Sequence, residues 1–80
     1  MIKVPFVVDG YYEAKNSNEI SMFLQQYQGM PWLTYLLKNA RKITSVKTYK
    51  PAEHLYVVDF MFELDPKKET YYRIKYNDGT

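Results

Sequence analysis

The clearest structural signal in this 80-residue chain is residues 53–64, which read Glu53-His54-Leu55-Tyr56-Val57-Val58-Asp59-Phe60-Met61-Phe62-Glu63-Leu64. Alternate side chains of an extended segment share a face. The even-numbered face from Tyr56 to Leu64 is entirely apolar, and the odd-numbered face from Leu55 to Glu63 is half apolar. A strand that is apolar on one face and mixed on the other belongs in the middle of a sheet.

Residues 69–76 are predicted to form a partner strand for this central strand, joined to it by a loop over residues 65–69. The resulting cross-strand pairs are Leu64 with Thr70, Phe62 with Tyr72, Phe60 with Ile74 and Val58 with Tyr76. This register matches apolar with apolar side chains, whereas a shift by one residue would exchange the faces. Asp65-Pro66 suits the start of the loop, because Pro presets φ for the second position of a turn.

The amino-terminal part of the chain predicts a second hairpin. Residues 2–8 alternate as a strand, with one face made of Ile2, Val4, Phe6 and Val8. Asp9-Gly10 is a strong hairpin-turn signal, so residues 11–15 are expected to return as a strand. Pro5 cannot donate a hydrogen bond to a neighbouring strand, which predicts either that the first strand lies at an edge of the sheet or that the side of Pro5 without a donor points outward.

Two short helices are predicted between the hairpins. Asn16 can cap the first, with Glu19 three residues later, and an apolar helical stripe follows at Ile20, Phe23, Leu24 and Tyr27. Gly29 suits the position after a helix end. Pro31 suits the first turn of a second helix, which runs to Ala40.

The elements add up to the order ββ–αα–βββ once residues 43–50 are counted as a strand. We therefore predict a single small α+β domain over residues 1–80. It would have two layers, with a largely antiparallel sheet of about five strands covered on one face by two short helices. The predicted core contains Phe60, Phe62, Phe23, Leu24 and Leu36.

Composition argues against catalysis. The chain has no cysteine, one histidine (His54) and three isolated glycines, so thiolate chemistry is excluded and neither a metal-ligand motif nor a phosphate-binding loop is present. An 80-residue domain has little room for a walled cleft. We predict a non-enzymatic protein without cofactor or metal.

No apolar run reaches the length of a membrane span and no signal-peptide pattern is seen. We therefore expect a cytoplasmic accessory protein, and its composition indicates a bacterial or phage origin.

The charge distribution points to a binding surface. The net charge is only +2, yet no acidic residue occurs between Glu19 and Glu53. That interval carries Lys38, Arg41, Lys42, Lys47 and Lys50, which the helical and strand assignments would bring to one edge of the domain. Such asymmetry indicates an acidic partner, either protein or nucleic acid. The alternative is that the first three residues simply complement a helix carboxyl end.

A protein partner is the first functional hypothesis. Met30, Trp32 and Tyr35 lie at or just after the turn between the helices, and these residue types are enriched in interface cores. The alternative is that Trp32 fills the space between helices and sheet. A homodimer is also plausible, because a domain with a thin core gains from burying more surface.

Single-stranded nucleic acid is the second hypothesis. Tyr71, Arg73 and Lys75 would alternate on the outer face of the last strand, and Tyr49 lies between Lys47 and Lys50. Aromatic rings that stack on bases, interleaved with cations that follow phosphates, are typical of single-strand binders. The alternative is an ordinary solvated sheet face with stabilising cross-strand neighbours.

Overall fold

A computed structural model describes residues 1–10, 12–27 and 29–76, and within them the chain forms a small α+β fold of three strands and three α-helices. The elements in chain order are β1 (Ile2–Asp9), α1 (Ser17–Leu24), a 3-10 turn (Gln25–Tyr27), α2 (Pro31–Asn39), β2 (Lys42–Ala52), β3 (Leu55–Glu63) and α3 (Pro66–Tyr76).

The sheet is antiparallel with the order β1-β3-β2. The central position predicted for residues 53–64 is therefore confirmed, and so is the edge position predicted from Pro5. Phe62 lies between Ile2 of β1 and Ile43 of β2. Apolar side chains of all three strands consequently meet in one row on one face of the sheet.

The core lies against that face. Phe60 and Phe62 are fully buried together with Leu24 of α1 and Leu36 of α2. Phe23 stacks on Phe60, with ring centroids 6.1 Å apart. The predicted core is confirmed, and burial of this much aromatic area is the main stabilising term in so small a domain.

The opposite face of the sheet, called the outer face below, carries the odd-numbered side chains of β1 and β3 and their partners on β2. Several of its apolar side chains are exposed to solvent or half-buried. These apolar residues of the outer face are Val7, Val46, Tyr49, Leu55, Val57 and Met61.

The predicted starts of the two helices are confirmed, whereas α1 ends at Leu24 before a 3-10 turn and α2 ends at Asn39. The Asn16 carboxamide oxygen accepts a hydrogen bond of 2.9 Å from the Glu19 backbone N–H, as expected for a helix cap. The Glu19 carboxylate accepts from the backbone N–H of Lys15 rather than that of Asn16. Gly29 has a φ of +100°, which glycine adopts without steric cost, and Pro31 is the first residue of α2.

The prediction of a strand over residues 69–76 is wrong, because these residues belong to helix α3. The Asp65 carbonyl accepts from the Glu69 N–H at 2.9 Å, so Asp65-Pro66 opens a helix instead of a loop, with Pro at the first helical position. Glu69 and Arg73 then form an ion pair of 3.2 Å at the i, i+4 spacing, which strengthens a helix and not a strand. The predicted register of this hairpin is lost with it.

The predicted amino-terminal hairpin is also wrong. β1 pairs with β3, residues 12–15 form no strand, and Tyr11 lies outside the described residues. Gly10 does not have the positive φ of the predicted turn; its N–H donates to the His54 carbonyl at 2.8 Å and continues the pairing with β3. In this arrangement Phe6 faces Val58, whereas the hairpin would have placed it opposite Glu13. Better apolar matching thus favours the long-range partner, and the described residues contain three strands instead of about five.

Candidate functional site

The five basic residues of the acid-free interval lie in two separate groups. Lys38 is in the last turn of α2, and Arg41 forms an exposed ion pair of 3.0 Å with Asp65. Lys42 begins β2 opposite Glu63. This first group therefore lies where the sheet meets α2 and α3, and two of its members have acidic neighbours.

The second group lies at the far end of the hairpin formed by β2 and β3. Residues 47–56, which we call the arm, are exposed except for a half-buried Tyr56. Lys47 follows Lys42 by five positions along β2, a distance of roughly 16 Å. The expectation that all five basic residues share one site at the edge of the domain is corrected accordingly: β2 is an edge strand, but its two ends are distinct places.

Lys47 and Lys50, called the lysine pair below, converge on one aromatic ring. The Lys47 Nζ lies 4.7 Å from the centroid of Tyr56, and the Lys50 Nζ lies 5.8 Å from the same centroid. A β-bulge between Lys47 and Tyr49 changes the register of β2 here. Bulges re-aim side chains, so the irregular register accompanies the placement of two cations around one ring.

The lysine pair forms no ion pair with the described carboxylates. The ion pairs among residues 1–10, 12–27 and 29–76 involve other basic groups, so neither lysine ammonium lies within 4.0 Å of a described carboxylate. Contact with an aromatic face is worth about 0.5–1 kcal/mol at an exposed site. It holds each cation but does not neutralise it, and the arm thus presents two ammonium groups against the one carboxylate of Glu53.

The predicted interface residues of the interhelix turn are only half-buried. Trp32 packs beside Phe6 with ring centroids 6.1 Å apart and joins the margin of the core. Met30 is half-buried, and its carbonyl accepts from the N–H groups of Leu33 and Thr34 at the start of α2. This placement favours the packing alternative for Trp32, and a role of Met30, Trp32 and Tyr35 in binding stays a prediction.

Tyr35 belongs instead to a cluster of tyrosines between α2 and α3. Its ring lies 5.3 Å from that of Tyr71, 6.4 Å from that of Tyr72 and 5.8 Å from that of Tyr76. Burial raises the pKa of Tyr35 first, and the charges that Tyr71 and Tyr76 would carry raise it further. The sequence contains the signal for this cluster, since Tyr72 and Tyr76 have helical spacing, but a strand assignment hides it.

The predicted nucleic-acid face does not exist as a sheet face. Tyr71, Arg73 and Lys75 lie on helix α3, where residues two apart do not share a side. Arg73 donates to the Glu69 carboxylate and to the Met1 carbonyl. The pKa of Glu69 is lowered, chiefly by a hydrogen bond from the amino group of Met1 and then by Arg73. Arg73 is thus engaged within the chain, whereas Tyr49 is exposed on β2.

The other surface features of the described residues bring together fewer charged or reactive side chains than the arm does. A groove of about 510 Å³ runs between α1 and α2 and is lined by Ser21, Leu24, Gln25, Tyr27, Gly29, Leu33, Thr34, Leu37 and Lys38. No group of three metal-ligating side chains occurs in the described ranges. His54 is exposed in the turn of the arm. No helix within the same ranges is long and apolar enough to cross a membrane.

In comparisons with known proteins, no protein-family model, no curated protein and no solved structure matches this chain. The function has to be argued from the geometry of the chain itself, and the lysine pair on the arm is the most specific feature that the geometry offers.

Proposed function

We propose that this chain is a small non-enzymatic binding protein that acts through protein–protein interaction. Its binding site is the lysine pair on the arm, and its partner is a protein segment rich in carboxylates. The proposal takes the chain as one two-layer α+β domain, in which the arm projects from the helix-covered core.

The observation that carries the proposal is the convergence of two ammonium groups on Tyr56, at 4.7 and 5.8 Å from its centroid. Like charges held around one ring repel each other. A carboxylate bound between Lys47 and Lys50 would offset that repulsion and would form charge-assisted hydrogen bonds with both. Because the aromatic contact already restricts the two long side chains, less conformational entropy is lost on binding.

A protein partner is favoured over nucleic acid by where the aromatic rings lie. Single-strand binders place stacking rings and cations along the same groove. Here Tyr49 pairs with Val57 on the outer face, while Lys47 pairs with Val58 on the helix side of the sheet. The ring of Tyr56 is the one close to the lysines, and they occupy its surroundings. Rings available for stacking are thus separated from the cations that would follow a phosphate backbone.

The test is a fluorescence-anisotropy titration with two labelled probes of equal length, a glutamate-rich peptide and an oligothymidylate. We expect the peptide to bind at low ionic strength, with an affinity that falls as salt is added. Reversing both charges, Lys47→Glu with Lys50→Glu, should weaken peptide binding by about tenfold or more. The matched control is Lys67→Glu with Lys68→Glu, which makes the same charge change at two exposed positions of α3.

Three outcomes of the titration would reject the site or change the class of its partner. Equal loss in both double variants would mean that net charge, not the lysine pair, attracts the peptide, and the site would be rejected. Tighter binding of the oligothymidylate than of the peptide, lost in the arm variant alone, would replace the protein partner by nucleic acid. A wild-type chain that binds neither probe at low salt would remove the arm as an anion-binding site.

A further inference from the structure

The outer face is a second surface, independent of the lysine pair. Of its apolar side chains, Val7 is 57 % exposed, Val46 is 48 % exposed and Tyr49 is 64 % exposed. Val7, Val57 and Tyr49 form one continuous row across the three strands. Single exposed apolar residues are ordinary, but a contiguous row on one sheet face indicates an interaction surface.

The edges of the sheet are less suited to receive another chain. The Ser17 hydroxyl bonds both the N–H and the carbonyl of Ile43 at 3.0 Å, which closes the start of the β2 edge. Further along, β2 is irregular between Lys47 and Tyr49 and again before Ala52, and Pro5 interrupts the β1 edge. Bulges and prolines are common protections against edge-to-edge pairing. Association through the face of the sheet is therefore favoured over addition of a strand.

The outer face carries charges of both signs in nearly equal number. Lys3 and Lys42 lie near one end of it with Glu63, Asp59 lies at the centre, and Asp9 lies near the other end. Two basic and three acidic side chains suit neither a strongly acidic nor a strongly basic partner. Because the two lysines lie near one end and Asp9 lies near the other, the face is complementary to a copy of itself placed end for end, as an isologous two-fold interface allows.

We propose that the outer face binds a second copy of this chain in a two-fold, face-to-face dimer. The strands of the two copies run antiparallel across the interface, because this arrangement keeps the end with Lys3 and Lys42 of one copy away from the same end of the other. The alternative two-fold, with its axis along the strands, would superpose those ends and bring like charges together.

The small area of the outer face limits the affinity of the dimer. Three strands spaced by about 4.8 Å cover roughly 14 by 26 Å in projection over the eight residues of β1. Such a face lies at the small end of specific interfaces. The dimer is accordingly weak, with a dissociation constant on the order of 10–100 μM, and the chain exchanges between monomer and dimer as its concentration changes.

The test is sedimentation velocity of the full chain over a range of concentrations. The wild type should move from the monomer mass towards twice that mass, and Val7→Lys with Tyr49→Lys should remain a monomer throughout. The matched control is Met22→Lys with Ile74→Lys, two apolar side chains that are each 68 % exposed on helices α1 and α3; this variant should dimerise like the wild type. Circular dichroism checks that all three proteins fold.

Three results would overturn the dimer. One is a wild type that stays monomeric up to millimolar concentration. Another is loss of association to the same degree in the helix control, which would indicate nonspecific adhesion. The third is a mass that continues to rise beyond twice the monomer, which a closed two-fold interface does not allow. None of them bears on the peptide titration, so the dimer and the lysine pair fail separately.

Discussion

The two ends of the β2–β3 hairpin differ in burial and in their hydrogen bonds to the rest of the chain, although they belong to the same two strands. At the base, residues 42–45 and 60–63 lie under the helices, and Phe60 and Phe62 are fully buried. In the arm, residues 47–55 are exposed. The base contributes buried apolar contacts and the arm exposes its side chains to solvent, so the binding site proposed on the arm would not require the core of this 80-residue chain to open.

Among the described residues, side chains from outside the sheet form hydrogen bonds with the base of the hairpin. The Tyr12 hydroxyl shares a hydrogen bond of 3.0 Å with the Ser45 hydroxyl, and burial raises the pKa of Tyr12. Ser17 bonds both backbone groups of Ile43. In the arm the corresponding contacts are within the hairpin itself, such as the Thr48 hydroxyl donating to the Val57 carbonyl at 3.3 Å. We therefore expect the base to open only with the whole fold and the arm to open locally.

The largest expected effect is at the base. Phe60→Ala removes a fully buried ring and should lower the free energy of unfolding by about 3–5 kcal/mol, which approaches the whole stability of a small domain. Urea denaturation measures it. The control is Val46→Ala, at an exposed position of the same sheet, with an expected loss below about 1 kcal/mol. Equal losses in the two variants would mean that the buried and exposed faces are assigned backwards.

A smaller effect is expected where α1 fastens the base. Ser17→Ala removes the hydroxyl that bonds the N–H and the carbonyl of Ile43, and should cost about 1–2 kcal/mol because both backbone groups lose their partner. Amide hydrogen exchange should become faster at Ile43 and stay unchanged in the arm. Ser21→Ala is the control on the same helix, since the Ser21 hydroxyl makes none of the side-chain hydrogen bonds found among the described residues. Unchanged protection at Ile43 would refute the fastening role of Ser17.

The contrast between base and arm also explains what the sequence could predict. Alternation around Phe60 and the capping signals at Asn16 and Pro31 are local, and they correctly predict the central strand and the starts of α1 and α2. The sequence predicts the wrong partner for β1, because Asp9-Gly10 is a strong local turn signal and pairing with β3 is decided by long-range apolar matching. Tertiary context thus overrode a local rule there.

The wrong prediction for helix α3 has a different cause, because the local sequence pattern there fits both a strand and a helix. Its residues alternate aromatic and charged side chains as a strand would, but Glu69 with Arg73 and Tyr72 with Tyr76 also have helical spacing. Asp65-Pro66 fits both a turn and a helix start. The packing of Tyr71, Tyr72 and Tyr76 against Tyr35 and the contacts of Glu69 and Arg73 with Met1 favour the helix, and these long-range contacts are not visible in the sequence.

The candidate site was predicted in part for a similar reason. The acid-free interval directs attention to Lys47 and Lys50, but composition gives no distance along β2 and so groups them with Lys42. Tyr56 was assigned to the core face and nothing more. Its position beside both lysines follows from the bulged register of β2 against β3, which side-chain alternation alone does not predict.

The smallest expected effect concerns Tyr56, and it tests whether the ring of Tyr56 positions the lysine pair. Tyr56→Leu keeps an apolar side chain opposite Val8 but removes the ring on which the lysine pair converges. Because a cation–aromatic contact at an exposed site is weak, stability should change by less than about 1 kcal/mol and affinity for the glutamate-rich peptide should fall by about threefold. Tyr56→Phe retains the ring and should bind the peptide like the wild type. Anisotropy titrations of the two variants, run beside urea denaturation, separate a change in binding from a change in folding. If both variants bind the peptide as tightly as the wild type, the ring does not position the lysines and the arm is a flexible cationic projection. If Tyr56→Phe loses as much affinity as Tyr56→Leu, the hydroxyl of Tyr56 is itself part of the site.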